Sequence, residues 1–326
     1  MTEYKTTLER MIAEENPNND KISEKVLKEL NYSKKQLESD LVHLKEWLKD
    51  QHHLPACRLK ECDNFLCHYL TGCKGSIEKA KRKLDAYYSL RGKSEVYSNR
   101  DPMDEEYKKI WDTSVSITVP KYDENTTECV FINKLLTSEI HPNFLLNTLK
   151  IAINMQEAAI RLEAIIRPCI AIFDYSNYTP AHAALFSPAV TKDYIYIAQN
   201  LFPSRMRKVL FINVPSYLEI IVNTVFKPFI TKKLRERFIV TTEGWEIVPQ
   251  HVNKALIPKD LGGDLKYTVQ EIKDAINEYQ IVHHDWWINE FNERTDESKR
   301  INNDYKYKGD DSQFGVQGTL KKLVID

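Results

Sequence analysis

Glycine is scarce in this chain, with 9 in 326 residues. Nucleotide cofactors need backbone that can approach phosphate closely, which calls for clustered glycines. No GxGxxG and no GxxxxGK[ST] occurs, and neither does a GxSxG elbow or an HExxH helix. These absences remove the common nucleotide-binding, serine-hydrolase and zinc-peptidase signatures. Long apolar runs are also missing: the best candidate is interrupted by Asn223, Thr224, Lys227 and Pro228, so no transmembrane segment is expected. The amino-terminal MTEYKTTLERMIAEENPNND lacks the apolar centre of a secretory signal, and a cytoplasmic protein is expected. Charge of one sign does not dominate, the net being −1, and no finger, homeodomain or RNA-recognition pattern appears, so nucleic acid is not an expected partner. The six cysteines, at 57, 62, 67, 73, 129 and 169, lack paired spacing. Four lie near His43, His52, His53 and His68, yet Cys57, Cys62 and Cys67 are too evenly spread to form the close pairs of a zinc site. No metal is expected, and the thiols read as reduced and mostly internal.

What is present is a chain long enough for two or three domains with full-sized cores. The first hundred residues read as helices. Leu37, Leu41, Leu44 and Leu48 draw one apolar stripe down Lys34–Gln51, and a short helix over Asp63–Leu70 is broken by Gly72 and Gly75. Ser76 caps a third helix whose inner face is Ile77, Ala80, Leu84 and Tyr87 and which ends at Gly92. A polar linker follows at 92–104. Strands are then expected at Val115–Val119, Cys129–Ile132, Cys169–Asp174, Val209–Val214 and Phe238–Thr241. Helices alternate with them at Phe144–Arg167, Pro188–Asn200 and Ser216–Glu236, and a last helix covers Val269–Phe291. That alternation predicts an α/β fold with right-handed crossovers and a mostly parallel sheet. The best acid/base pair is Asp174 at a strand end with His182 nearby. Without a nucleophile in an elbow, both read as structural, and no catalytic residue is assigned.

The most informative stretch begins at Leu201. Val209–Val214 is apolar throughout, as in a strand covered on both faces. The segment after Pro215 carries Leu218, Ile221, Val222, Val225, Phe226, Phe229 and Ile230 at spacings of three and four, a face too wide for an ordinary surface helix. From Arg205 to Arg237 eight Lys or Arg stand against two Glu, a local charge of +6. Lys233 and Arg237, four apart, would share a helix face, and Arg205 and Arg207 would share a strand face.

In order and spacing, FPSRMRKVLFINVP, KPFITKKLRERF and IPKDLGG resemble the CRAL-TRIO lipid-binding family. LTGCKGSIEKAKRKLDAYYSLR resembles the helical region that precedes that domain in its α-tocopherol transfer, retinaldehyde-binding and clavesin branch, and the closing GVQGTLKKLVID extends the similarity. The resemblance implies three parts: an N-terminal helical bundle at 1–104, a lipid-binding domain with flanking helices and a hydrophobic cavity at 105–268, and a C-terminal helix and tail at 269–326. It also implies that Ser216–Glu236 is a mobile gate helix. Expected cavity walls are Phe173, Ile195, Phe211, Leu218, Ile221, Val222, Val225, Phe226 and Phe229. Arg91, Arg205, Lys233 and Arg237 match the family's basic cleft for phosphoinositide headgroups. The family's glycine after the strand acid is Asn177 here, and its glycine-arginine turn is replaced by DENTTECVF.

The expected function is carriage of one hydrophobic molecule, such as a tocopherol, retinoid, sterol or carotenoid, with peripheral docking on endosomal or other phosphoinositide membranes and no cofactor. Burying a lipid of roughly 20 carbons is worth about 16 kcal/mol gross, so release calls for an opening step. The alternative is an endosomal trafficking adaptor that reads phosphoinositide without transferring cargo.

Overall fold

The computed structural model describes residues 5–91, 93–221 and 231–301. Five helices come first: α1 (Thr7–Glu15), α2 (Asn19–Glu29), α3 (Lys34–Lys49), α4 (Asp63–Gly72) and α5 (Ile77–Ser89). Local chemistry sets their starts. Ser33 and Gln36 form a reciprocal capping box at α3, and the Ser76 hydroxyl accepts from the Lys79 amide at α5. The leucine stripe turns inward as expected, with Leu37, Leu44 and Leu48 buried. Gly72 does not break α4; it sits in the last turn because a Cβ there would come within 2.3 Å of the Pro203 side chain. Gly75, at φ +73°, makes the turn that follows.

The second part comprises α6 (Glu105–Thr113), β1 (Ser114–Thr118), β2 (Cys129–Leu135), α7 (Phe144–Leu162), β3 (Pro168–Asp174), α8 (Pro180–Ala184), α9 (Pro188–Asn200), β4 (Arg205–Ile212), α10 (Ser216–Ile221), α11 (Lys232–Arg235) and β5 (Phe238–Val240). Short 3-10 turns between Trp245 and Leu261 lead to α12 (Val269–Val282) and α13 (His284–Asn289). The sheet order is β1-β2-β3-β4-β5, with β1 antiparallel to β2 and the other pairs parallel. This is the α/β arrangement expected from the alternating pattern.

Each parallel strand lies beside its predecessor and the order never reverses. Right-handed crossovers then place every connecting helix on the same face of the sheet. The other face carries Ile117, Ile132, Ile170, Ile172, Leu210 and Ile212, all fully buried, and is covered by the 3-10 turns and α12 through Ile247, Val248, Leu256, Ile272 and Ile276. Gly262 and Gly263 shape this cover for two different reasons. Gly262 has φ +82° with open space around it, whereas a Cβ on Gly263 would lie 2.0 Å from the Ile257 carbonyl oxygen.

Three helices differ from the sequence expectation. α7 stops at Leu162, short of Arg167, because Glu163 is extended (φ −128°, ψ 120°) and Ile165 and Ile166 are buried on the way into β3. The C-terminal helix is interrupted at His283 (φ −104°, ψ 24°), between α12 and α13. A single rod over Ser216–Glu236 does not form, since Thr231 is extended (φ −62°, ψ 150°) and starts a separate one-turn α11. Residues 222–230, including Pro228, lie outside the described residues, as do Gly92 and the closing GVQGTLKKLVID.

A buried ionic network fastens the amino-terminal helices to α7 and the carboxy-terminal segment. Glu157 receives Arg100 at 3.0 Å and the Tyr87 hydroxyl at 3.1 Å, with Arg91 at 3.5 Å. Arg100 also reaches Glu290 at 3.0 Å and the Asn154 amide oxygen at 2.5 Å. Arg161 pairs with Glu290 and lies over the rings of Trp286 and Trp287. Burial works to raise the Glu157 carboxyl, but Arg100, Arg91 and Arg161 hold it below the ordinary carboxylate range.

Two stability outcomes follow. Glu157→Ala leaves two arginines buried without their shared carboxylate and is expected to cost about 3–5 kcal/mol in urea unfolding. Gly262→Ala is expected to cost about 1 kcal/mol through its left-handed backbone, and Gly263→Ala about 3 kcal/mol through collision with Ile257. Equal small losses at both glycines would contradict this account.

Candidate functional site

On the crossover face of the sheet, alternate strand residues form three rows. Cys129, Cys169 and Met206 make the first; Phe131, Ala171, Val209 and Phe238 the second; Asn133, Phe173, Phe211 and Val240 the third. The alternation survives in β4 only through an irregularity: Cys169 pairs with Met206 but Ile170 with Lys208, so Arg207 is an extra residue. Without it Met206 would face the opposite side from Val209 and Phe211. The expectation that Arg205 and Arg207 point the same way assumed regular strand and does not apply at this bulge.

Over these rows lies a cavity of about 380 Å³, within the range of small-ligand sites. Its walls come from α7 through Leu149, Ala152 and Gln156 and from α9 through Thr191, Tyr194 and Ile195. Ala171, central in the floor and 1% exposed, leaves room between Phe131 and Val209. Phe173 and Phe211 stack with centroids 5.3 Å apart, and Phe238 packs against Phe211 at 5.1 Å. The Cys169 thiol is pushed well up by its hydrogen bond with Cys129 and by burial, so it stays protonated and unreactive at neutral pH.

Of the wall residues expected from the sequence, Phe173, Ile195 and Phe211 border the cavity. Leu218 is buried in the cluster containing Phe211 and Val209 but does not line the space. Ile221 is the last described residue of α10, and Val222, Val225, Phe226 and Phe229 lie outside the described residues. Sequence reasoning missed Phe131, Ala171, Val209 and Phe238. Strand parity carried the signal for the first two, while the bulge at Arg207 has no sequence mark.

The expected basic residues divide. Arg205 opens β4 and Arg237 immediately precedes β5, where its carbonyl accepts from the Val209 amide at 3.0 Å. The Arg237 guanidinium donates to the carbonyl of Met206, the residue beside Arg205. Lys233 is exposed on α11, one turn before Arg237, whose amide bonds the Leu234 carbonyl at 3.0 Å. Arg237 itself is beyond the end of that helix, so the shared helix face expected for the pair is replaced by a turn. Arg91 is elsewhere. Its side chain is 1% exposed, its guanidinium donates to the Glu290 carbonyl and the Tyr97 hydroxyl at 3.0 Å each, and the Tyr87 and Tyr97 rings flank it at 4.6 and 5.2 Å. The expectation that Arg91 faces a headgroup is corrected: its charge is spent on internal carboxylates and rings.

Asp174 and His182 do not form an acid/base pair. Burial works to raise the Asp174 carboxyl, but Asn213 (2.8 Å), the Ser176 amide (3.0 Å), Trp245 (2.8 Å) and Lys134 (3.4 Å) hold it below its ordinary range. His182 accepts from the Thr179 amide at Nδ1 and donates from Nε2 to the Glu139 carbonyl at 3.1 Å. Both residues brace loops at strand ends. No helix among the described residues is long and apolar enough to cross a membrane.

Residues 112–263 match the CRAL/TRIO domain, and residues 33–107 match the Pinta-like UBA domain. The human alpha-tocopherol transfer protein-like protein is 26% identical over 241 residues, covering 70% of this chain and 66% of its own length. This chain therefore spans just under two thirds of that relative. Rat clavesin-1 is 31% identical over 96 residues, 29% of this chain and 27% of its own. The crystal structure of Sfh5 superposes with a TM-score of 0.48 at 12% identity, covering 77% of this chain and 99% of that one. Residues 112–263, with their one-sided crossovers and mostly parallel sheet, form a CRAL/TRIO domain.

Proposed function

We propose that this chain binds one hydrophobic molecule in the cavity between the sheet and helices α7 and α9, and carries it between membranes. The observation that supports this most is the cavity itself, about 380 Å³ of mostly apolar space over a floor of Phe131, Ala171, Val209 and Phe211. Burial would supply most of the hold on cargo such as a tocopherol, retinoid, sterol, carotenoid or similar lipid, at about 0.8 kcal/mol per methylene. The segment from α10 to α11 is the proposed gate, with Leu218 anchoring its start beside Phe211. Docking is assigned to Lys233 and Arg237, on α11 and just before β5, while Arg205 lines the cavity with its Nη2 on Glu29 and is left out. Each contributes roughly 1 kcal/mol near an anionic bilayer, so the two support weak, reversible adsorption on phosphoinositide membranes. Arg91 is left out, being enclosed by Glu157, Glu290 and its tyrosines.

Two experiments test this. Mass spectrometry of the purified chain under native conditions is expected to find one apolar molecule per chain, and Ala171→Phe, which fills the floor, to lower that occupancy several-fold without lowering the melting temperature. Unchanged occupancy would place the ligand elsewhere. With liposomes, transfer of the extracted ligand is expected to rise when phosphoinositide is added, and Lys233→Ala with Arg237→Ala to remove about 2 kcal/mol of membrane affinity, roughly thirtyfold. Equal adsorption of the double variant would refute the docking assignment.

A further inference from the structure

We propose that the end of the cavity beneath α2 receives an anionic head, so that the bound molecule is a single acyl chain ending in a carboxylate. This rests on the reading of the cavity as a lipid site. Arg167 carries the argument. Its side chain is 3% exposed and lines the cavity, yet Nε and Nη1 have no partner among the described residues. Nη2 is occupied: it donates to Asn19 and to Ser23 (3.3 Å) on α2 and reaches Glu163 at 3.5 Å. The Tyr122 ring covers one face of the guanidinium at 4.1 Å. Arg205 lies next to it, because Pro168 and Arg205 are register partners, and it too lines the cavity, its Nη1 without a partner among the described residues while Nη2 donates to Glu29 at 3.3 Å.

A guanidinium offers only donors, and a buried donor left unmet is costly. The missing partner is therefore an acceptor, and a planar oxyanion suits the guanidinium fork best. Existing countercharge is partly committed: Glu163 receives the Tyr122 hydroxyl at 2.7 Å, and Glu29 has a side chain 42% exposed to solvent. His68, also in the wall, adds no charge at neutral pH, since burial lowers its pKa to about 4 and its Nδ1 donates to the Glu163 carbonyl at 2.7 Å. Away from the arginines the floor turns to Phe131, Ala171, Val209 and Phe211. One polar end and one apolar run match one head and one tail. A hydrocarbon, or an ester that carries no charge, would leave the arginine donors poorly met.

The test uses the full delipidated chain and compares hexadecanoic acid, its methyl ester and hexadecanol by calorimetric titration, with inorganic phosphate as competitor. The acid is expected to bind about tenfold or more tighter than the ester or the alcohol. Arg167→Gln should erase that margin and leave ester affinity unchanged, and Arg205→Gln serves if the first variant does not fold. Phosphate that weakens the acid but not the ester supports the site. Equal binding of acid and ester, or a margin that survives both substitutions, would overturn it. Phosphate bound tightly with no preference for the acid would reassign the arginines to a free anion and likewise overturn it. Should none of the three chains bind, the acyl-chain proposal is overturned, whereas the carrier reading stands or falls separately on whether native mass spectrometry finds one apolar molecule per chain.

Discussion

The handedness of strand connections governs this molecule. Four parallel strands laid down side by side in one direction send all their crossovers to one face. Helices α7 and α9 must therefore share that face, and side chains long enough to fill the whole gap are not supplied: Ala171, Ala152 and Val209 sit where larger residues would close it. The opposite face receives no crossover, and its isoleucines would be exposed without the 3-10 turns and α12. Cavity on one side and solid packing on the other are two results of one topological rule.

Burial sorts residues of the same type into different roles. Arg91, Arg100 and Arg161 share Glu157 and Glu290 inside the protein, where an arginine without a carboxylate would be strongly destabilising. Arg207 and Lys233 are exposed and keep their hydration. Arg167 is as buried as Arg91 and Arg205 is half-buried, and each lines the cavity with some donors paired and others without a partner among the described residues. The internal network also links three stretches far apart in the chain, around residues 91–100, 154–161 and 290, so the amino-terminal helices, α7 and the carboxy-terminal segment are held by the same charges.

Small backbone departures decide which chemistry each surface presents. The extra residue at Arg207 returns Val209 and Phe211 to the same face as Met206. The extended Thr231 separates α11 from α10 and puts Arg237 at a strand start, where its side chain bonds the backbone of the neighbouring strand. Asn213, at φ +53°, lets the chain turn after β4 while its amide holds Asp174.

Local pattern was sufficient for many elements, though not for the end of α7, the break at His283 or the extended Thr231. The leucine stripe of α3, the serine cap of α5, the bounds of α9 and the apolar run of β4 follow from helix and strand periodicity and from capping chemistry, which act over a few residues. The placement of Phe173 and Phe211 on one face follows from strand alternation, and the wide apolar face after Pro215 marks out a segment unlike a surface helix. Long-range matters were not legible in this way. Whether Arg91 meets solvent or Glu157 depends on residues 66 and more positions away, and the role of Gly72 depends on Pro203. The pairing of Asp174 with Trp245 instead of His182, and the orphaned donors of Arg167, arise only when distant segments meet, because burial and hydrogen-bond satisfaction are properties of the assembled surroundings and not of the neighbouring sequence.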